Sequence, residues 1–206
     1  MVKTRISTRE RIIEAAGKLF HAEGIRDVSV DTVAQNAGLT KRTLYYHFSS
    51  KDDLIAAYLE ARDQPNLLLF QRWFAETEGS VADKVRGIFL NLARSAKHPK
   101  WKGCGFLRTS VELIQFPGHP AMIAARIHKM RVEDWLCSIF EEQQAPDEAR
   151  ILARQIILLL DGAFAVVLLH RDENYMLCAG EAAAQLINQR LAAPSAQNLE
   201  EAIRES

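Results

Sequence analysis

The chain has 206 residues, 48% of them hydrophobic and 25% charged, which is enough apolar material for a proper core and excludes a largely disordered protein. Its 26 Lys and Arg are balanced by 26 Asp and Glu, so a bulk polycation is excluded and any affinity for a polyanion has to come from a local surface. Such unevenness is present: Met1 to Arg26 holds six basic residues against three acidic ones, and Asn36 to Lys51 holds three basic residues and no acid.

Almost every long segment repeats its apolar residues near the 3.6-residue period, and no stretch alternates as a strand does, which predicts an all-α protein. The first helix carries Ile12, Ile13, Ala16, Leu19 and Phe20 on one stripe. Ser7 stands three residues before Glu10 as a capping box, and Gly24 ends the helix. Ser29 caps a short second helix with Val30, Val33 and Ala34 inward. Thr40 caps a third, Lys41 to about Phe48. Only Ala37-Gly38-Leu39-Thr40 is left to join the second and third helices, and so short a connection forces a helix-turn-helix. Ser50 and Asp53 open a fourth helix at Lys51, which is expected to break or kink near Pro65. Further helices are predicted at Leu67–Phe74, Val81–Ala96, Phe106–Leu113, Pro120–Glu142, Pro146–His170 and Glu173–Leu191. The tail after Pro194 is expected to fray.

The third helix carries the chemistry. Leu44 and Phe48, four residues apart, form the natural inward pair. That leaves Lys41, Thr43, Tyr45 and His47 toward solvent, with donors at Thr40, Lys41, Arg42 and Thr43 in the first turn. A contact with duplex DNA and an ordinary solvated helix both fit that pattern.

The stretch RERIIEAAGKLFHAEGIRDVSVDTVAQNAGLTKRTLYYHFSSKDDLI resembles the DNA-binding domain of the TetR family of transcriptional regulators over residues 9 to 55. The matching positions are Phe20 to Gly24, Ser29-Val30, Val33-Ala34, Ala37-Gly38-Leu39-Thr40, Leu44-Tyr45, His47-Phe48, Ser50-Lys51-Asp52 and Leu54. The resemblance implies a DNA-binding domain over residues 1–52 and a helical effector-binding and dimerisation domain over residues 53–206. It implies Thr40, Lys41, Arg42 and Thr43 in the major groove, and Tyr45 and Tyr46 as the aromatic pair behind them. His47 and Lys51 fall at phosphate-contacting positions. Ser29 and Thr32 become contacts from the supporting helix, although Ser29 is equally a cap. Arg5 and Arg9 are read either as groove or phosphate contacts or as a solvated basic end.

One such module touches few phosphates and bases, so two are expected to pair on the half-sites of a palindromic duplex operator. The homodimer interface is expected in the last two long helices. Ile156–Leu169 is apolar around nearly its whole circumference, and the Glu181–Leu191 stretch supplies small residues. A small organic effector is expected in the body, where all three Trp lie. Its candidate contacts are Trp101, Phe106, Arg108, Trp135, Asp161 and Phe164. Arg108 and Glu112, at i,i+4, read either as a surface ion pair or as part of the pocket entrance.

Other functions are excluded by what the chain lacks. Cys104, Cys137 and Cys178 are odd in number and lack CxxC spacing. They are expected to be small buried hydrophobes in a reducing cytosol, with a thiol sensor as the other reading. His98, His119, His128 and His170 occur without HExxH, a Gly-rich phosphate loop or an informative Cys–His spacing, so no catalytic residue, cofactor or metal is expected. MVKTRISTRE does not read as a signal peptide, and Ile156–His170, about fifteen residues interrupted by Asp161, reads as a buried helix and not as a membrane span. A soluble cytoplasmic regulator, most simply a repressor, is the expectation. An activator or effector-independent regulator with the same DNA-binding mode is its alternative.

Overall fold

The structure is a computed structural model and describes residues 6–192. Among them there are nine helices and no strand. In chain order these are α1 (Thr8–Glu23), α2 (Val30–Asn36), α3 (Lys41–His47), α4 (Lys51–Glu76), α5 (Val81–Ala96), α6 (Gly105–Glu112), α7 (Pro120–Phe140), α8 (Pro146–His170) and α9 (Asn174–Ala192). They form two compact units. The first takes residues up to Asn66 together with Cys104–His128. The second takes Leu67–Gly103 and the residues from Lys129 onward. The division expected at residue 52 concerned DNA reading; the first packing unit is broader, because α6 and the first part of α7 share the core of the first three helices.

The first unit is built on local signals. Ser7 Oγ accepts the Glu10 amide at 3.2 Å while the Glu10 carboxylate accepts the Ser7 amide at 2.8 Å, so α1 starts in a capping box. It stops at Gly24, whose φ of 90° lies where a side chain is strained. Ser29 and Thr40 cap α2 and α3 in the same manner, accepting from the Thr32 and Thr43 amides. Between α2 and α3, Gly38 turns at φ 65° and Leu39 donates back to the Ala34 carbonyl at 2.9 Å, which produces the tight corner. Ile12, Ala16, Phe20, Val33, Ala34, Leu44 and Phe48 meet Leu54, Ile55 and Leu59 of α4 in one core, closed by Phe106, Leu113, Ala121 and Ala125.

The expected break at Pro65 does not occur, nor does a separate helix at Leu67–Phe74. α4 runs unbroken from Lys51 to Glu76 with Pro65 inside it. A proline ring costs one helical hydrogen bond, about 3 kcal/mol in an unsupported helix. Here buried side chains anchor the helix before and after it: Leu54 to Leu59 in the first unit and Phe70 in the second.

In the second unit α5 and α8 both pack against α9. Gly180 of α9 permits the close approach, since a Cβ there would stand 2.8 Å from Phe89 Cβ. α8 buries Leu152, Ile156, Leu160, Phe164 and Val167, yet leaves Leu158 72% and Leu169 79% exposed. Its full length is 25 residues, and an 18-residue window of mean hydropathy 2.1 is only 39% buried. By length and composition alone such a helix could cross a membrane, a test that the core helix of a soluble protein passes as well.

Candidate nucleic-acid interface

α3 is held from behind and open in front. Leu44 is fully buried and Phe48 nearly so, which anchors the helix through the i,i+4 pair. Lys41, Arg42, Tyr45 and Tyr46 are exposed, and Tyr46 is 85% exposed with its ring edge-on to His47. A ring so far out of the core contributes little to the fold and is available to a partner.

The hydroxyls expected to contact DNA have structural work as well. Thr40 Oγ1 accepts from the Thr43 amide at 3.1 Å and lies 2.9 Å from Thr43 Oγ1. Ser29 and Thr32 repeat the arrangement on α2, at 3.0 and 2.8 Å. Each hydroxyl retains hydrogen-bonding capacity beyond its cap. Lys41 Nζ forms an ion pair with Asp31 Oδ2 at 2.8 Å, and this neighbour raises the ammonium pKa. His47 is half-buried. Lys51 Nζ donates to the Arg26 carbonyl at 3.1 Å. Burial pushes the Lys51 pKa down, against the opposite pull of Asp52, Asp27 and Glu112. Arg9 lies over the Phe48 ring at 5.0 Å, whereas Arg5 lies outside the described residues.

Three contacts around this surface were not expected. Besides the Asp31 pair, Arg11 Nη2 donates to the Ala37 carbonyl at 2.7 Å and closes the end of α2. The third involves α6. The Glu112 carboxylate accepts from the Ile25 amide at 3.0 Å and the Arg26 amide at 3.3 Å, and the Arg26 guanidinium returns to the Glu112 carbonyl. Arg108 donates to the His21 carbonyl at 3.2 Å. Arg108 and Glu112 therefore do not pair with each other; together they grip the end of α1. A charged pair at i,i+4 gave no signal of that, because the partners lie some 87 residues away.

The six residues expected around an effector are distributed over both units. In the first, Phe106 is fully buried and stacked on the His128 ring at 3.7 Å, with His128 Nδ1 2.8 Å from Asp63 Oδ1, and Arg108 is engaged with α1. In the second, Trp101 and Phe164 are brought together as a stacked pair at 6.1 Å. Asp161 is paired with Lys129, and Trp135 meets Phe74 edge-on at 5.7 Å. Trp101 also lines a surface hollow of about 540 Å³ with Lys97, His98, Val167, Arg171 and Glu173. That size suits a small organic molecule. Among the described residues no group of three His, Cys, Asp or Glu is placed to hold a metal ion. Of the thiols, Cys137 is buried, Cys104 half-buried and Cys178 exposed.

Residues 12–58 match the family described as bacterial regulatory proteins, tetR family. The transcriptional regulator SrpR of Pseudomonas putida is 41% identical over 58 residues, covering 28% of this chain and 27% of that protein. The regulator TtgW of the same species is 41% identical over 58 residues and covered to 43%. The match thus spans less than half the length of these first relatives. AcrR of Shigella flexneri is 24% identical over 165 residues, covering 75% of this chain and 74% of that protein. Among solved structures, SCO4454, a TetR-family transcriptional regulator from Streptomyces coelicolor, superposes with a TM-score of 0.72 at 28% identity, covering 89% of this chain and 94% of that one. A helix-turn-helix built by local caps, an exposed polar α3 and the helical architecture of the described residues agree with these likenesses: residues 12–58 form a DNA-binding domain of the tetR family type, in a chain whose fold is similar to that of TetR-family transcriptional regulators.

Proposed function

We propose that this protein is a repressor that binds a palindromic DNA operator as a homodimer and is released by a small organic effector. The observation that carries the DNA half is α3 itself. Lys41, Arg42, Tyr45 and Tyr46 face solvent while Leu44 and Phe48 fasten the helix to a rigid core. A helix presented this way can enter the major groove, with Arg42 and Lys41 reading guanine edges and the tyrosines against sugar and phosphate. Thr43, Thr40, Ser29 and Thr32 add donors once their caps are shared, and His47 and Lys51 lie at the phosphate flank. The protein works by binding and not by chemistry, in the cytoplasm.

The dimer is supported by α8. Leu158 and Leu169 are too apolar to remain in water on a helix whose other side is already packed, and α8 with α9 offers the surface for a second copy. Release is supported by the grip of α6 on the end of α1. An effector that displaced α6 would withdraw Glu112 from the Ile25 and Arg26 amides and loosen the reading helices, in addition to any movement of α4. To move the population from mostly bound-competent to mostly released, its affinities for the two states must differ by about 10⁴-fold. Trp101, Phe164, Asp161, Trp135, Phe106 and Arg108 remain the candidate contacts, with Trp101 and Phe164 the first to probe.

The test is selection of bound duplexes from a random pool by the full chain, followed by gel shift on the selected sequence while candidate effectors are titrated. The expected result is a palindromic consensus, retarded as a dimer complex and released by at least one molecule that binds. A consensus without two-fold symmetry, or an affinity unchanged by every molecule that binds, contradicts the proposal. The operator's position relative to the promoter separates repressor from activator.

A further inference from the structure

We propose that Asp31 is a specificity-determining residue, which holds Lys41 so that its charge is withheld from non-specific phosphate binding. This rests on the DNA-reading role proposed for α3. Asp31 lies in the first turn of α2 and Lys41 is the first residue of α3. Their charged atoms are 2.8 Å apart, and both side chains are more than half exposed. An exposed pair contributes little to folding stability, so its consequence lies in what happens when a polyanion approaches.

A free lysine on a reading helix neutralises a phosphate anywhere on a duplex and releases a counterion, which favours every sequence alike. Lys41 paired with Asp31 has no net charge to offer, and the Asp31 carboxylate is itself repelled by phosphate. At the right base the balance changes. The ammonium has three donors, so it can keep Asp31 and still reach guanine O6 or N7, or Asp31 can accept from a cytosine amine. The pair therefore suppresses binding to arbitrary duplexes more than binding to the operator. Arg42, exposed beside Lys41, remains available for general attraction. The sequence holds both residues but no sign of their meeting, because the contact forms only when the turn at Gly38 folds α3 across α2.

The experiment uses the full chain and four proteins: wild type, D31N, K41Q and D31N/K41Q. Asn keeps the size of the side chain and an acceptor for the first turn of α2. Fluorescence anisotropy is measured over a range of salt on the selected operator and on a scrambled duplex of equal length, with thermal melts confirming that each variant is folded. D31N is expected to bind the scrambled duplex about tenfold more tightly at low salt and to steepen its salt dependence by roughly 0.9 of a unit of slope. The operator should gain less, so the ratio of affinities falls. In the K41Q background the same Asp31 change should have no such effect. An equal gain in both backgrounds would mean plain repulsion by Asp31 and overturns the proposal, as does an unchanged ratio in D31N. Wild type that prefers no duplex over another would instead overturn the DNA-reading role on which this rests.

Discussion

The reading helix and the expected effector residues dispose of their polar and aromatic groups in opposite ways. On α3 the side chains that look functional are outside: Tyr45 and Tyr46 make no core, and Arg42 is exposed and can turn toward a ligand. In the body each functional-looking side chain is already engaged. Phe106 stacks on His128, Trp101 on Phe164, Trp135 meets Phe74, and Asp161 pairs with Lys129. Composition therefore marks a binding surface only where the fold leaves the groups uncommitted. An aromatic or charge that the protein already satisfies has to be freed before a ligand can use it, and that cost is subtracted from the ligand's affinity.

The largest effect that can break this contrast is in the core of the first unit. Phe106→Ala should cost about 3–5 kcal/mol of unfolding free energy, measured by urea denaturation, because the ring is fully enclosed. A much smaller cost would mean that Phe106 borders a cavity after all, as a pocket wall does. The caps come next. Ser29→Ala or Thr40→Ala should cost about 0.5–2 kcal/mol each. If duplex affinity falls further than that loss of stability explains, the hydroxyls contact DNA as well as their own helices.

Lys51 belongs partly to both kinds of residue, and Lys51→Ala separates its two roles. A phosphate contact predicts a salt dependence flatter by a little under one unit of slope. A lysine engaged only with the Arg26 carbonyl predicts an unchanged slope and a lower melting temperature. The smallest effect is with acid. The Glu10, Asp53 and Asp83 carboxylates are held below their ordinary values, each first by hydrogen bonds from serine at its helix start. A carboxylate with a lowered folded-state pKa adds stability above its unfolded value, and that contribution disappears as pH falls through the folded value. Helicity followed by circular dichroism should therefore hold through mild acid and decline below about pH 4. Glu10→Gln should make the decline shallower.

Much of this fold was legible because its starts and stops are local. Ser7 with Glu10, Ser29 and Thr40 announce their helices within four residues, and the four-residue connection at Gly38 leaves only one sharp corner. The motif legible in the sequence ends at residue 55, where the fixed pattern of caps and glycines gives way to long apolar helices. Pro65 misled because local chemistry argues for a break, whereas buried residues on both sides hold α4 continuous. The pairing of Asp31 with Lys41, Arg11 with Ala37, and Glu112 with Ile25 and Arg26 was not legible at all. Such contacts depend on which elements the fold sets side by side, and no spacing rule within a segment reports that. The same holds for the effector candidates, whose partners decide whether they are available.

The role proposed for α3 is to read duplex DNA through side chains the fold does not need. The most direct measurement is the affinity of the Arg42→Ala/Tyr46→Ala double variant for the selected operator, set beside its thermal unfolding. Both side chains are exposed, so the melting curve should match that of wild type, with affinity weaker by about tenfold or more for each side chain removed. A folded double variant that binds the operator as tightly as wild type would contradict that role.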